Sequence, residues 1–306
     1  MKDKIRAMVL GSFVADALSL GVHWVYNTNV IDKKFGRVES YHDPLTSYHG
    51  EKKAGEHTHY GDQMLVLLES VEETSGFELE SFAKRWRLLF DTYQGYFDHA
   101  TKDTIENLSQ GKDLHSSGSE SDDLAGASRI APVCYAHYLD SDKLVQAARL
   151  QTASTHNHTT VVDAAEFFAR TVAKILSGAP PLQAINEVVK QNFKGEAIEK
   201  LVIDGLDSKK VETRQAVADF GQMCSIDAAL PGTIHLIAKY EKNLETALVE
   251  NVMAGGDSSS RGLLVGLVLG AYLGLEAIPS LWLDGLKSKN HIEELMDGLD
   301  AKISSK

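Results

Sequence analysis

The chain has 306 residues, 43% hydrophobic and 24% charged, enough apolar material for a sizeable core and too much for a disordered, collagenous or coiled-coil chain. Asp plus Glu outnumber Lys plus Arg by 43 to 31, a formal charge of -12, so a broad phosphate-binding surface for nucleic acid is not expected. Two cysteines, Cys134 and Cys224, stand in no CxxC pair, which excludes a disulfide scaffold and predicts a cytoplasmic protein.

Helical periodicity starts at once. Ile5, Met8, Val9, Phe13 and Leu20 predict a first amphipathic helix, and Asp16 breaks its apolar run, arguing against a signal peptide. Residues 35–60 are irregular and rich in His, Gly and Tyr. Met64, Leu67, Leu68 and Val71 predict the next helix after Asp62. Others are expected over 79–89, 102–108, 124–138, 141–153 and 160–176. The polar segment 109–123 reads as an exposed, mobile loop. Pro180 and Pro181 open a further helix with Leu182, Ile185 and Val188 on its face. Residues 195–210 read as a short connection around a helical turn. Helices then follow over 211–220, from 226 past Pro231, and over 244–253 and 261–275. The apolar stretch 262–283 approaches membrane-span length, but Glu276 and Pro279 divide it. Gly262, Gly266, Gly270 and Gly274 form a small-residue ridge that predicts a buried central helix, not a membrane anchor. No sustained two-residue alternation and no repeat period appear. The fold class is therefore all-α, a compact orthogonal multi-helical domain over 1–306.

Several polar groups interrupt the core pattern. Gly255 and Gly256 form a tight turn, followed by Asp257 and the hydroxyls of Ser258, Ser259 and Ser260. That is either an elaborate helix cap or a ligand or cation site. In GEHTHYGDQM, His57, His59 and Asp62 offer ligand atoms without a recognised zinc spacing. Asp16, inside an apolar helix, needs hydrogen bonds, a counter-charge, a proton or a metal. In TASTHNHTT, between two helices, His156 either faces a ligand or, like His158, is simply exposed, and Thr159 or Thr160 caps the next helix. Arg129 needs a partner if buried, and would neutralise an acidic ligand or brace a carboxylate.

In this order, IRAMVLGSFVADALSLGVHW, THYGDQM, ASRIAP, TASTHNH and VENVMAGGDSSSRGLLVGLVLGAYLG resemble the ADP-ribosylglycohydrolase family over nearly the whole chain. GVHWVYN and GGDSSSRG resemble the branch of lens J1 crystallin and its selenoprotein relative, where a crystallin role need not involve catalysis. The resemblance implies a helical fold with magnesium beneath an ADP-ribose cleft. It implies Asp62, Asp257 and Ser260 as metal ligands, Asp16 as floor support, His156 as a substrate contact, and Gly255 and Gly256 as the turn before the late metal motif. The chain also departs from that pattern. YGDQ stands for TDDT and DSSS for DxDT, so Gly61 and Ser259 replace carboxylates, and His23 and Trp24 replace an acidic position. The expectation is at most one Mg2+ and no intact two-metal centre. The function implied is hydrolysis of an N- or O-glycosidic bond in an ADP-ribosyl or related nucleoside compound. Asp62, Asp257 and His23 are the catalytic candidates, His156, Gly255 and Gly256 bind substrate, and Asp16 and Arg129 support them. The alternative is a noncatalytic binding or structural protein on the same scaffold. Asp16, Asp62 and Asp257 are expected to share one polar pocket.

Overall fold

A computed structural model describes residues 1–304 of the chain, and its centre is a pair of helices with no polar face. Lys2–Leu20 buries every residue from Ala7 to Leu20, and Ser258–Leu273 buries every residue from Ser258 to Ala271. A helix apolar all round belongs inside a protein, and these two lie against each other. The glycine ridge is what lets them approach. A Cβ at Gly266 would stand 2.5 Å from the carbonyl carbon of Gly11, and one at Gly270 would stand 2.8 Å from that of Ala7. The backbones touch directly, and Ser12 Oγ donates across the contact to the Leu263 carbonyl at 2.8 Å.

The surrounding helices Leu244–Met253, Ile226–Lys239 and Thr159–Leu176 cover the second helix of the pair, while His59–Thr74 and Ala131–His137 cover the first. The last helix, Lys289–Ser304, packs on His59–Thr74 and is tied to the chain's start by Arg6, 2.8 Å from Asp297 and 3.2 Å from Asp300. No helix among the described residues is long and apolar enough to cross a membrane.

Some elements differ from the sequence expectation. The predicted helix over 124–138 is two, Ala125–Ser128 and Ala131–His137. Pro132 cannot donate to the residue-128 carbonyl and its ring crowds that carbonyl, so the chain starts a fresh helix. The segment 195–210 holds a full helix, Ala197–Asp207, burying Ile198, Leu201, Val202 and Gly205. The loop over 109–123 is exposed only in part. Its second half is pinned, because Ser119 N donates to the Thr155 carbonyl at 3.0 Å and Asn157 N donates to the Ser119 carbonyl at 2.6 Å. No sheet occurs among the described residues. Three isolated bridges, Val25–Gly256, Ser119–His156 and Asp123–Ser225, fasten loop segments where the polar motifs gather.

Candidate functional site

The three sequence segments singled out for chemistry do meet, but through side chains other than those expected. Asp16 is wholly buried and accepts from Thr58 N at 2.9 Å, Thr58 Oγ1 at 2.6 Å and Ser259 Oγ at 2.5 Å, with His57 Nδ1 at 3.2 Å. Burial alone would raise its pKa, yet the hydrogen bonds and the facing His57 ring lower it. Asp16 is a joint between helices whose acceptor capacity is already used.

Beyond this joint lies the glycine turn. Gly255 and Gly256 have φ of +71° and +66°, and a Cβ at Gly255 would stand 2.6 Å from the Val25 carbonyl oxygen. Only glycine fits both conditions. Their amides do not reach outward: Gly255 N donates to Val252 O at 3.1 Å and Gly256 N to Val25 O at 3.0 Å. Both amides are engaged within the protein. What the turn does is position Trp24, whose N donates to the Gly256 carbonyl at 2.8 Å while φ sits at +62°. A tryptophan in the left-handed region is strained by about 1 kcal/mol.

Asp257 caps the Ser258–Leu273 helix by accepting from Ser260 N at 3.2 Å, and it is fully buried. Its other oxygen, Oδ2, has no hydrogen-bond partner in the protein, and neither do the hydroxyls of Ser258 and Ser260. Burial pushes the Asp257 pKa up to about 6 against the opposing pull of the Arg261 guanidinium. Arg261 is itself buried, bonded to Asn251 Oδ1 at 3.1 Å and to the Gly255 carbonyl at 2.6 Å. His23 Nδ1 stands 3.6 Å from Asp257, and neither ring nitrogen has a hydrogen bond. Burial first, then the neighbouring His49, His59 and Arg261, holds the His23 pKa well below its usual value. His23 stacks on Trp24 with ring centroids 4.5 Å apart, beneath the site.

Above this floor opens a pocket of about 220 Å³ walled by Trp24, Tyr26, Tyr48, Tyr60 and Tyr96. Trp24 meets Tyr96 edge-on at 4.9 Å and Tyr48 at 5.3 Å, so the rings brace one another. Asp98 and Asp123 supply its acidic wall, with His99 and Cys224 beside them. Asp98 caps the helix His99–Ser109 through Thr101 N at 2.6 Å and lies 3.3 Å from His59 Nε2. Desolvation works to raise its pKa, but His59, His156 and the Thr101 amide prevail and hold it far below the usual carboxylate range. Asp123 goes the other way. Burial raises it, with Asp98 and Asp122 adding like-charge repulsion. Neither residue stood out in the sequence. Asp98 reads as an ordinary cap, and Asp123 ends a serine-rich run.

His156 flanks this wall. Arg129, buried, donates to Gln63 Oε1 at 3.0 Å, to Gln151 Oε1 at 3.1 Å and to Thr155 Oγ1. Its partners are neutral, so it braces amides and a hydroxyl; the nearby negative charge is Asp98. Thr155 Oγ1 also lies 3.0 Å from His156 Nδ1. With Arg129 filling an acceptor position of Thr155, the hydroxyl proton is free to point at Nδ1, which sets the His156 proton on Nε2. That Nε2 is buried without a partner. Burial and Arg129 lower the His156 pKa to about 3, so the ring is neutral.

Asp62 lies elsewhere. Residues 60 and 62 of the His59–Thr74 helix project about 200° apart, and while Tyr60 faces the aromatic pocket, Asp62 faces a separate cleft. There Lys52 Nζ and Tyr93 Oη both contact Asp62 Oδ2 at 2.5 Å. The expected meeting of Asp16, Asp62 and Asp257 in one pocket is corrected accordingly. So is the ligand set of Asp62, Asp257 and Ser260. A two-magnesium floor does not fit these residues: a Cβ at Gly61 would stand 2.6 Å from Asp16 Cγ and 2.9 Å from His57 Cβ, so the space for a carboxylate is filled by protein. Ser259 is committed to Asp16, and Lys52 already neutralises Asp62. Among the described residues, no group of three or more His, Cys, Asp or Glu side chains is arranged to hold a metal ion.

Comparison with known proteins agrees with the resemblance carried by the sequence motifs. A solved structure described as an ADP-ribosylglycohydrolase-related protein complex superposes with a TM-score of 0.77 over 97% of each chain at 24% identity, which establishes the fold. An uncharacterized protein of Archaeoglobus fulgidus is 29% identical across 96% of this chain and 95% of its own length. Crystallin J1A of Tripedalia cystophora is 25% identical across 97% and 96%, and crystallin J1B of the same animal is 23% identical across 92% of each. These relatives support the J1-crystallin side of the family. The family model for ADP-ribosylglycohydrolase matches residues 1–306, and the chain belongs to that family.

Proposed function

We propose that the protein hydrolyses the glycosidic bond of an ADP-ribosyl or related nucleoside compound bound in the aromatic pocket. The observation that supports this reading is the pair of carboxylates on one pocket wall whose pKa values are driven apart, Asp98 down and Asp123 up. Glycoside cleavage uses such a pair, one group fixed as an anion and the other able to carry a proton. Asp98 stabilises the positive charge that develops at the anomeric carbon. Asp123 moves the proton, to the leaving group or from the attacking water. Asp257 and His23 set the polarity beneath the rings, and His156 lies buried behind Asp98, where it helps to keep that carboxylate ionised. No step is assigned to a metal. The two free cysteines suit a reducing, cytoplasmic setting.

Chromatographic assay of ADP-ribosyl and nucleoside glycosides tests the proposal. Released sugar is expected from the wild-type chain, with at least a hundredfold lower rate in Asp123→Asn and in Asp98→Asn. Equal rates in the three proteins would reject these roles. The second reading, a noncatalytic binding protein, is favoured by the protein-filled space at Gly61 and the fully engaged Asp16. It predicts saturable binding of the same compounds without turnover.

A further inference from the structure

The charge of the pocket wall says more about the ligand than the wall's shape does. Five aromatic rings, each with an electron-rich face, line a cavity of about 220 Å³. Its ionisable lining includes Asp98 and Asp123, and no Lys or Arg among the described residues lines it. Asp257 lies buried below, adding to the negative field felt by Tyr26 and Tyr60. Tyr26 and Tyr48 remain about half exposed at the mouth, at 48% and 50%. One ring already holds a cation: Lys102 Nζ sits 5.5 Å from the Tyr96 centroid, outside the cavity wall. Aromatic faces backed by carboxylates form the environment that captures an organic cation, whereas a diphosphate would meet acceptors with no donor charge.

We propose that the pocket selects a single-ring organic cation, an N-substituted pyridinium, and that the preferred substrate is a phosphate-free N-ribosyl pyridinium. This rests on the glycoside-hydrolase reading and narrows its substrate class. The chemistry closes without an external reagent. The C1′–N bond breaks with its electron pair going to the ring nitrogen, so the base leaves neutral and needs no proton. The water oxygen bonds to C1′, and the water proton passes to Asp123 in its ionised form. Asp98 remains an anion throughout, beside the charge that moves from ring nitrogen to sugar.

Calorimetric titration of the full chain separates cation from shape, using the 1-methylnicotinamide cation, methylated on the ring nitrogen, as the charged probe and nicotinamide as its neutral counterpart. The cation is expected to bind at least tenfold more tightly, with the advantage shrinking as salt rises. Tyr48→Leu, at a half-exposed rim position that the core does not need, should weaken the cation at least threefold and leave thermal unfolding unchanged. Trp24→Phe should retain most of the affinity that Trp24→Leu loses. Equal affinity for the two probes, no binding of either, or ADP-ribose displacing the cation with the higher affinity would each overturn the assignment. Release of nicotinamide from nicotinamide riboside is measured on the same samples. Cleavage without cation preference removes the inference and leaves the hydrolase reading standing. Cation preference without cleavage overturns the assigned substrate together with the hydrolase reading, and leaves only a cation-binding pocket.

Discussion

Replacing Gly266 by alanine sets two physical effects of opposite sign against each other. In a helix interior the change alone stabilises by about 1 kcal/mol, because glycine has more backbone entropy to lose. Here the new methyl would stand 2.5 Å from the Gly11 carbonyl carbon and 2.8 Å from Ser12 N, both backbone atoms of a helix buried on all sides. Ordinary contact needs about 3.5 Å, so the two central helices must part by about 1 Å. Overpacking of that kind costs roughly 1–3 kcal/mol, and stretching the 2.8 Å bond from Ser12 to Leu263 removes about 1 more. The net expectation is a loss of about 1–3 kcal/mol. Urea unfolding followed by circular dichroism measures it, and Gly298→Ala serves as the control. At that site the new methyl meets only the Glu72 carboxylate end at 2.6 Å, a partly exposed side chain that can swing away. The control should be neutral or slightly stabilised. A Gly266→Ala protein as stable as the wild type would refute direct backbone contact between the two helices.

Other outcomes follow from the site. Gly61→Asp is expected to destabilise by about 3 kcal/mol or more through its clash with Asp16 and His57, and magnesium calorimetry should gain no binding event; tight magnesium binding by this variant would refute the filled-space argument. His49 and His235 are buried with pKa values lowered to about 4, so the unfolded chain binds more protons below pH 6.5. Stability is therefore full above pH 6.5 and declines as pH falls toward 4, and His235→Gln should flatten part of that decline in urea midpoints. Asp257 has the opposite sign. Its pKa of about 6 means the folded chain holds the extra proton, so stability falls as pH rises from 4 to 6, and Asp257→Asn should remove that fall. A midpoint profile of the same slope in both proteins would contradict the burial of an uncompensated carboxylate.

The helical character was readable because most helices bury one stripe, and Ser141–Ala153 appears with the boundaries its periodicity predicts. The helix Lys289–Ser304 was missed in the sequence, since its charged residues surround a narrow apolar line of Ile292, Met296 and Leu299. At the site, segments were legible and individual side chains were not. Asp16 announced itself because an apolar helix cannot leave a carboxylate unpaired. Its donors, Thr58 and Ser259, could not be chosen over Asp62 and Asp257 without knowing the helix rotation. Asp98 and Asp123 are conventional residues for a cap and a polar loop, and only the fold brings them beside Trp24 and Tyr96.

The central pair of helices also dictates when the chain can fold. Lys2–Leu20 is synthesised well before the partner that packs along it, which ends at Leu273. At about 5–20 residues per second, the first helix waits on the order of 10–50 s with its apolar surface uncovered. Its contacts are therefore among the most distant in sequence, and topology of that kind slows folding. A chain released before residue 273 lacks the complete partner that packs along its first helix, so C-terminal truncations short of that point should aggregate when synthesised without a chaperone. Supplying the residues beyond 240 as a separate polypeptide should restore solubility, because the missing half of the pair can then dock.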